Sequence, residues 1–416
     1  MHIIVSHLSL FSATGILLLG SGLLGTVVAL RSGLEGFSSV LIGMIMSGFF
    51  FGYVLGSYLC PHIIRNFGHI RSFSVFAAIG CASVLLHALM IEPMIWLILR
   101  VFTGICMLGM YLVIESWLNS LSSNETRGRI FSIYMAINFL ALGAGQFLLL
   151  IYDIQGMEHF LLIALFFTLS LVPIAMSKMA QPVQIPSGYL GLRRIYHASP
   201  LAVYGALISG IVSGAFWGMG SLYALSVGFD RSGIALFISS VVFGGALLQW
   251  PLGHLSDLHD RRKVIFFVSI LASISALIVV AVIGQQKIIG ILAAFVFGGC
   301  AFSIYALSMA HASDHSDPLQ LLEINRGLLL LSGIGAALGP VSAGLLMEWI
   351  GTQMLMVYFA CLMFLLAALA LLRRIRGKAI ATEEQADFVI MARSSSAMLD
   401  MDPRAESSEE ESAVRS

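Results

Sequence analysis

Apolar residues fall into twelve long runs separated by short polar turns, from near the start of the chain to Leu372. The runs lie at about 9–30, 39–60, 72–91, 94–119, 130–152, 159–177, 201–227, 233–254, 264–284, 288–310, 324–347 and 353–372, each near the roughly 20 residues that cross a hydrocarbon core of about 30 Å. Each run is expected as a helix, because a segment in lipid must satisfy its own backbone N–H and C=O groups. The first run is too long for the core of a signal peptide and has no positive flank before it, so it reads as a retained span.

The turns orient the runs. With both ends in the cytoplasm, the inside turns hold Arg65, Arg71, Arg127, Arg129, Lys178, Arg193, Arg194, Arg261, Arg262 and Lys263. Arg373, Arg374, Arg376 and Lys378 follow the last run, whereas the outside turns hold only Arg31, Arg231 and Lys287. Cytoplasmic turns carry the excess of Lys and Arg, so this threading, in the inner (plasma) membrane, is the expected one.

Composition agrees. Only 11% of the 416 residues are charged and 58% are hydrophobic, against about 25% charged in a soluble domain. The formal net charge of zero offers nothing to nucleic acid. The five cysteines (Cys60, Cys81, Cys106, Cys300 and Cys361) lie in or beside apolar runs, with spacing of neither a metal knuckle nor a disulfide framework. They read as small apolar fillers.

The longest interior connection divides six runs from six. The chain thus reads as an N-terminal six-helix bundle (1–177), a cytoplasmic linker (178–200), a C-terminal six-helix bundle (201–376) and a Ser- and Glu-rich disordered cytoplasmic tail (377–416). The halves echo each other: FTGIC at Phe102 with FGGCA at Phe297, GAGQ at Gly143 with ALGP before Val341, and GSYLC at Gly56 with GHLSD at Gly253. That repeat is far longer than a solenoid period and reads as duplicated bundles.

One charged island interrupts the apolar runs, GHLSDLHDRRK at Gly253–Lys263. It resembles the loop signature of the major facilitator superfamily: a glycine, an aspartate four residues on, then basic residues. RVFTG at Arg100–Gly104 looks like that family's second signature, and Gly143–Gln146 and Gly335–Pro340 are similar to its glycine-rich packing signature. IESWLN at Ile114–Asn119, ETRGR at Glu125–Arg129 and QWPLGHLSD resemble the YcaD-like branch. The resemblance covers about residues 8–376. It implies an all-α membrane protein of twelve transmembrane helices, with two pseudo-symmetric bundles rocking about a shared cavity. The first-half copy of the loop signature, GSYLCPHIIRNFGHIR, departs from the pattern, with Cys60 where the aspartate belongs. The second-half copy must then carry more of any latch.

Candidate chemistry is sparse, which is itself informative. Arg100 sits about seven residues into the fourth run. A charge there costs on the order of 2.5–3.5 kcal/mol unless it faces the bundle interior. It is an anion anchor, a gating contact or a structural arginine on backbone carbonyls. Glu115 follows fifteen residues later, within roughly 60° of the same helix face. That face also carries Gly104, Met107 and Tyr111. Glu115 suits proton uptake, gating with Arg127 or Arg129, or a static ion pair. No Asp or Glu lies near the middle of any run, so carboxylate-driven proton coupling has only Glu115 and, with its imidazole, His311 as candidates. By the family's pseudo-symmetry, Asp257 would stand near the cytoplasmic start of the fifth helix, and Arg261 and Arg262 would pair across the bundle. The alternative is that these charges only set topology.

The family lines its cavity from the first, second, fifth, seventh, eighth and eleventh helices. Asn138, Gln146, Trp217 and Tyr223 are therefore candidate substrate contacts beside Arg100 and Tyr111, each weighed against plain helix packing. The rows Gly48–Gly52–Gly56 and Gly335–Gly339–Gly344 read as close helix packing. HASDHSD, from His311 to Asp317, reads as a helix end and turn, with no metal expected. No phosphate loop, nucleotide fold or catalytic triad appears, so neither enzyme nor cofactor is expected. The reading is a monomeric secondary active or facilitative transporter of a small organic solute, neutral or anionic, with the lipid bilayer as partner and a proton as candidate coupled ion. The competing class is a transport-inactive membrane sensor of the same fold that signals through its tail.

Overall fold

The computed structural model describes residues 7–177, 196, 199–315 and 321–376, and four residues of the C-terminal stretch, Gln385, Phe388, Ser395 and Ala397. The connection at 178–200 therefore lies almost wholly outside the described residues, as does most of 377–416.

All twelve predicted runs are helices, most of them longer than the apolar run itself. In the first half these are α1 (Leu8–Leu34), α2 (Ser39–Phe67), α3 (His69–Leu89), α4 (Pro93–Ser120), α5 (Asn124–Phe147) and α6 (Glu158–Ala175). In the second half they are α7 (Pro200–Ser226), α8 (Arg231–Asp257), α9 (Arg261–Val282), α10 (Lys287–Asp314), α11 (Leu321–Trp349) and α12 (Met354–Arg376). Each is long and apolar enough to cross a membrane. An even number of crossings puts the start of α1 and the end of α12 on one face, called here the termini face.

Local chemistry sets the boundaries. Pro93 and Pro200 open α4 and α7, where the missing N–H is not needed. The side chains of Ser38, Ser199, Asp230 and Asp260 accept backbone N–H bonds at the starts of α2, α7, α8 and α9, satisfying donors that the first turn leaves open. Gly68, at φ 81°, is the whole turn between α2 and α3. An L side chain rarely adopts that backbone.

The two halves are built alike. In each, the second helix crosses the fourth at glycines. A Cβ on Gly52 or Gly104 would strike the backbone of Val101 or Phe49, and a Cβ on Gly244 or Gly298 that of Phe295 or Val241. Helices meeting without side chains between them gain backbone packing, the main attraction left when the solvent is as apolar as the protein. Large apolar residues face outward: Phe267, Leu271, Ile274 and Ile278 make an exposed stripe along α9. In water such a stripe is an association patch; hydrocarbon is its matching solvent.

The halves touch most closely on the face away from the termini. There the Ser39 backbone N–H donates to Glu348 Oε2 at 2.6 Å. Gly43 and Gly344 let α2 and α11 approach until a Cβ on either would strike the other's backbone, at Pro340 and Ser39. Between α5 and α8, the Ser239 hydroxyl donates to the Gly143 carbonyl at 2.9 Å. Arg231 reaches from the start of α8 to the Tyr152 carbonyl at 2.8 Å and to Asp153 at 3.7 Å. The predicted outside cations are thus all occupied, since Arg31 donates to the Ile154 carbonyl at 3.2 Å and Lys287 to that of Gly228 at 2.7 Å.

Gly104→Ala should lower stability by about 1–3 kcal/mol, the usual cost of overpacking. Gly128→Ala should not, because a Cβ there meets open space. Thermal unfolding of the two purified variants beside the parent protein checks the difference.

Candidate functional site

Between the halves lies a cavity of about 450 Å³. Its inner end is the region where α2 and α11 close on each other. Toward the termini face it runs out between the ends of α2 and the start of α11, past Tyr58, Pro61, Glu323 and Arg326. Its walls come from α1, α2, α4 and α5 on one side and α7, α8, α10 and α11 on the other. The fourth and tenth helices join the six expected from the family pattern, through Arg100, Met107 and Tyr111 on α4 and Phe302 on α10.

Arg100 is the most consequential residue in this wall. It is only 3% exposed, and its guanidinium carbon stands 4.6 Å from the centroid of the Phe49 ring. Its Nε is buried without a hydrogen-bond partner, which does not fit an arginine held on backbone carbonyls by all its donors. A guanidinium in an apolar wall with an unused donor is a ready anchor for an anion.

Tyr111, Asn138 and Trp217 also line the cavity. Asn138 donates to the Tyr134 carbonyl one turn back at 2.8 Å. Tyr53 and Tyr111 meet edge to face at 6.5 Å and continue the aromatic wall.

Two predicted contacts lie elsewhere. Gln146 is fully buried between α1 and α5. Its amide donates to the Gly22 carbonyl at 2.6 Å and accepts from the Thr26 hydroxyl at 2.7 Å, so its polar ends serve to join helices. Tyr223 packs on Phe237, with ring centroids 5.8 Å apart, inside the second half and away from the cavity. One helix face carries only part of a stripe, and both residues fall past its edge.

Glu115 is buried at the termini-side end of α4. It accepts from the Tyr134 hydroxyl at 2.6 Å and from the Ser395 hydroxyl. Ser395 itself belongs to the cavity lining. Neither partner was legible beforehand: Tyr134 stands on another helix and Ser395 lies 280 residues away.

The charged island forms a cluster at the termini face of the second half. Arg261 Nε lies 2.8 Å from Asp314 Oδ2, and its Nη2 lies 3.3 Å from Asp257 Oδ1. Arg262 makes two bonds to Asp260, at 3.1 and 3.0 Å. These contacts lie within the second half. Asp257 also accepts the Phe388 backbone N–H at 3.0 Å. Burial by itself raises the Asp260 carboxyl, but the side-chain and backbone bonds from Arg262 outweigh it and hold the group below its ordinary value. His311 lies beside this cluster, its ring 4.4 Å from that of His315, and is not part of the cavity wall. Within HASDHSD, Asp314 is paired with Arg261, and Asp317 lies outside the described residues. No group of three or more metal-ligating side chains occurs among the described residues. Cys60, at the position of the missing aspartate, is buried with its thiol 3.4 Å from the Ile105 carbonyl.

Comparison with known proteins follows the same line. A family profile described as Major Facilitator Superfamily matches residues 202–401. An MFS-type transporter YcaD from Escherichia coli O7:K1 (strain IAI39 / ExPEC), itself described as uncharacterized, is 30% identical over 371 residues. The match covers 86% of this chain and 92% of that protein. The similarly described YcaD of Shigella flexneri is 29% identical over 364 residues, with 86% and 92% covered. Among solved structures, the nucleoside transporter NupG superposes with a TM-score of 0.74 at 15% identity, covering 90% of this chain and 100% of that one.

Asp260→Ala removes a cap, for which about 0.5–2 kcal/mol is the usual cost. Because the folded-state carboxyl titrates below its unfolded value, its contribution is present above the unfolded pKa of about 3.9 and is lost as pH falls through the folded value. The variant should therefore melt earlier than the parent at pH 7, and the gap should narrow below about pH 4. Melting curves across pH test it. Separately, Gln146→Leu should lower thermal stability while leaving the ligand preference unchanged, and Asn138→Ala should do the reverse; a ligand-shift assay on both variants separates the two roles.

Proposed function

The chain belongs to the major facilitator superfamily, and we propose that it carries a small organic anion across the inner membrane by alternating access. The single observation behind this reading is Arg100: a guanidinium buried in the wall of a central cavity, stacked on Phe49, with a donor left unused. The aromatic wall around it, with Tyr53, Tyr111 and Trp217, suits an apolar or planar body attached to that anion.

The termini face is the cytoplasmic one in this reading. The excess of Arg and Lys in its turns supports that. The cavity is then open inward and closed outward, the closure resting on Ser39–Glu348 and Arg231. In the opposite state those contacts part, and the Asp257–Arg261–Arg262 cluster becomes free to meet the first half. Glu115 is the gating group on the first-half side. Its burial at the inward mouth supports that role, and it is also the first place to look for a bound proton.

A thermal-shift screen of the purified protein against organic acids and their neutral analogues tests the substrate class. A ligand raises apparent stability by RT ln(1 + [L]/Kd). Acids should shift the parent protein and amides should not. Arg100→Gln should weaken acid binding about ten- to a hundredfold, matching the roughly 1.5–3 kcal/mol of a hydrogen bond to a charged group. Equal shifts by acids and amides, unaltered in Arg100→Gln, would refute the anion reading.

A further inference from the structure

We infer that Phe388 and Ser395 form a built-in stopper at the inward mouth of the cavity, where they hold the two halves apart. The inference rests on the reading above that this cavity is the transport route.

Two anchor points carry it, one in each half. On the first-half side, the Ser395 hydroxyl donates to the Glu115 carboxylate. Ser395 is 1% exposed and forms part of the cavity wall. Its hydroxyl also accepts the Ala397 backbone N–H at 3.2 Å, so it is held from both sides. On the second-half side, the Phe388 backbone N–H donates to Asp257 Oδ1 at 3.0 Å. The Phe388 ring packs against Gly253, one turn earlier on α8, so closely that a Cβ there would strike it. Gly253 and Asp257 are the glycine and aspartate of the charged island, so the ring and the amide use both named positions of that motif.

The reach is ample. Phe388 lies twelve positions beyond Arg376, the end of α12, which permits a span of up to about 40 Å. Ser395 lies seven positions beyond Phe388, a span of at most about 25 Å.

The consequence follows from which groups are taken. Closing the inward face brings the halves together where Ser395 now sits. It also needs Asp257 and Glu115 for contacts between the halves. A segment bound to both groups is compatible with the inward-open arrangement and not with the inward-closed one. A ligand that binds one of two states shifts the population toward it by its differential affinity, and a tethered segment acts as such a ligand at high effective concentration. The stopper therefore inhibits in two ways, by filling the inward mouth and by stalling the return to the outward state.

The test needs no knowledge of the substrate. Ser57→Cys places a thiol on the exposed cavity face of α2. Labelling by a bulky maleimide is followed at residue 57 alone by mass spectrometry, in the otherwise full chain and in the same chain carrying Phe388→Ala, Ser395→Asp or a stop after Lys378. Ser395→Asp sets a second negative charge against Glu115. Labelling should speed up about tenfold in each altered chain, the factor corresponding to about 1.4 kcal/mol of lost contact. Equal rates in all four chains would overturn the inference. A second measurement does not depend on any weakened variant. With photoreactive benzoylphenylalanine at position 388 of the full chain, adducts should map to α8 around Gly253; adducts confined to other helices, or none, would also overturn it. A labelling difference in protein that moves no solute would uphold the stopper and tell instead against the transporter reading.

Discussion

A single hydrogen bond at the closed face, from the Ser39 backbone N–H to the Glu348 carboxylate, shows the constraint under which the rest is arranged. Two bundles of membrane helices have no hydrophobic drive to associate, since lipid suits their outer faces as well as each other. They hold together only where backbones approach closely or polar groups find partners across the divide. Both conditions are met at one end, through Gly43 and Gly344 and through Ser39, Ser239 and Arg231. Toward the other end the halves separate, and the space between them is the cavity. One-sided gripping is thus the source of the cavity.

The same scarcity of partners sorts the interior polar residues by role. A buried polar group that fills its hydrogen bonds within the bundle is structural, as Gln146 is between Gly22 and Thr26. One that keeps a donor in reserve beside empty space is poised for something not present in the fold. Arg100 is of that second kind. The cost of burying a cation is lowered by the Phe49 ring beneath it. Glu115 is a different case, since a tyrosine and a serine both reach it, and the serine comes from the far end of the chain.

The loss of the aspartate from the first-half loop signature also acquires a physical sense. Cys60 takes that place and is packed against α4, so the first-half copy offers no carboxylate there. In the second half the intact copy is engaged, its aspartate by Arg261 and by the Phe388 amide, its glycine by the Phe388 ring. The two copies of the signature thus differ, and only the second-half copy is in contact with Phe388 among the described residues.

What the sequence by itself determined is everything governed by the bilayer. The number and placement of the helices, the six-plus-six division and the interior placement of Arg100 follow from the cost of exposing backbone and charge to hydrocarbon, a cost that acts on each segment alone. Tyr111, Asn138 and Trp217 could be located at the cavity because each lies on a helix whose inner face was already implied. What only the tertiary structure decided depends on how helices are rotated and which ones meet. Rotation turned Gln146 toward α1 and Tyr223 toward Phe237. Meeting brought Phe49 beneath Arg100, Tyr134 to Glu115, and Ser395 across 280 residues to the same carboxylate. No local pattern encodes such pairings, because their energy resides in neither partner and appears only when the packed halves bring them within hydrogen-bonding distance.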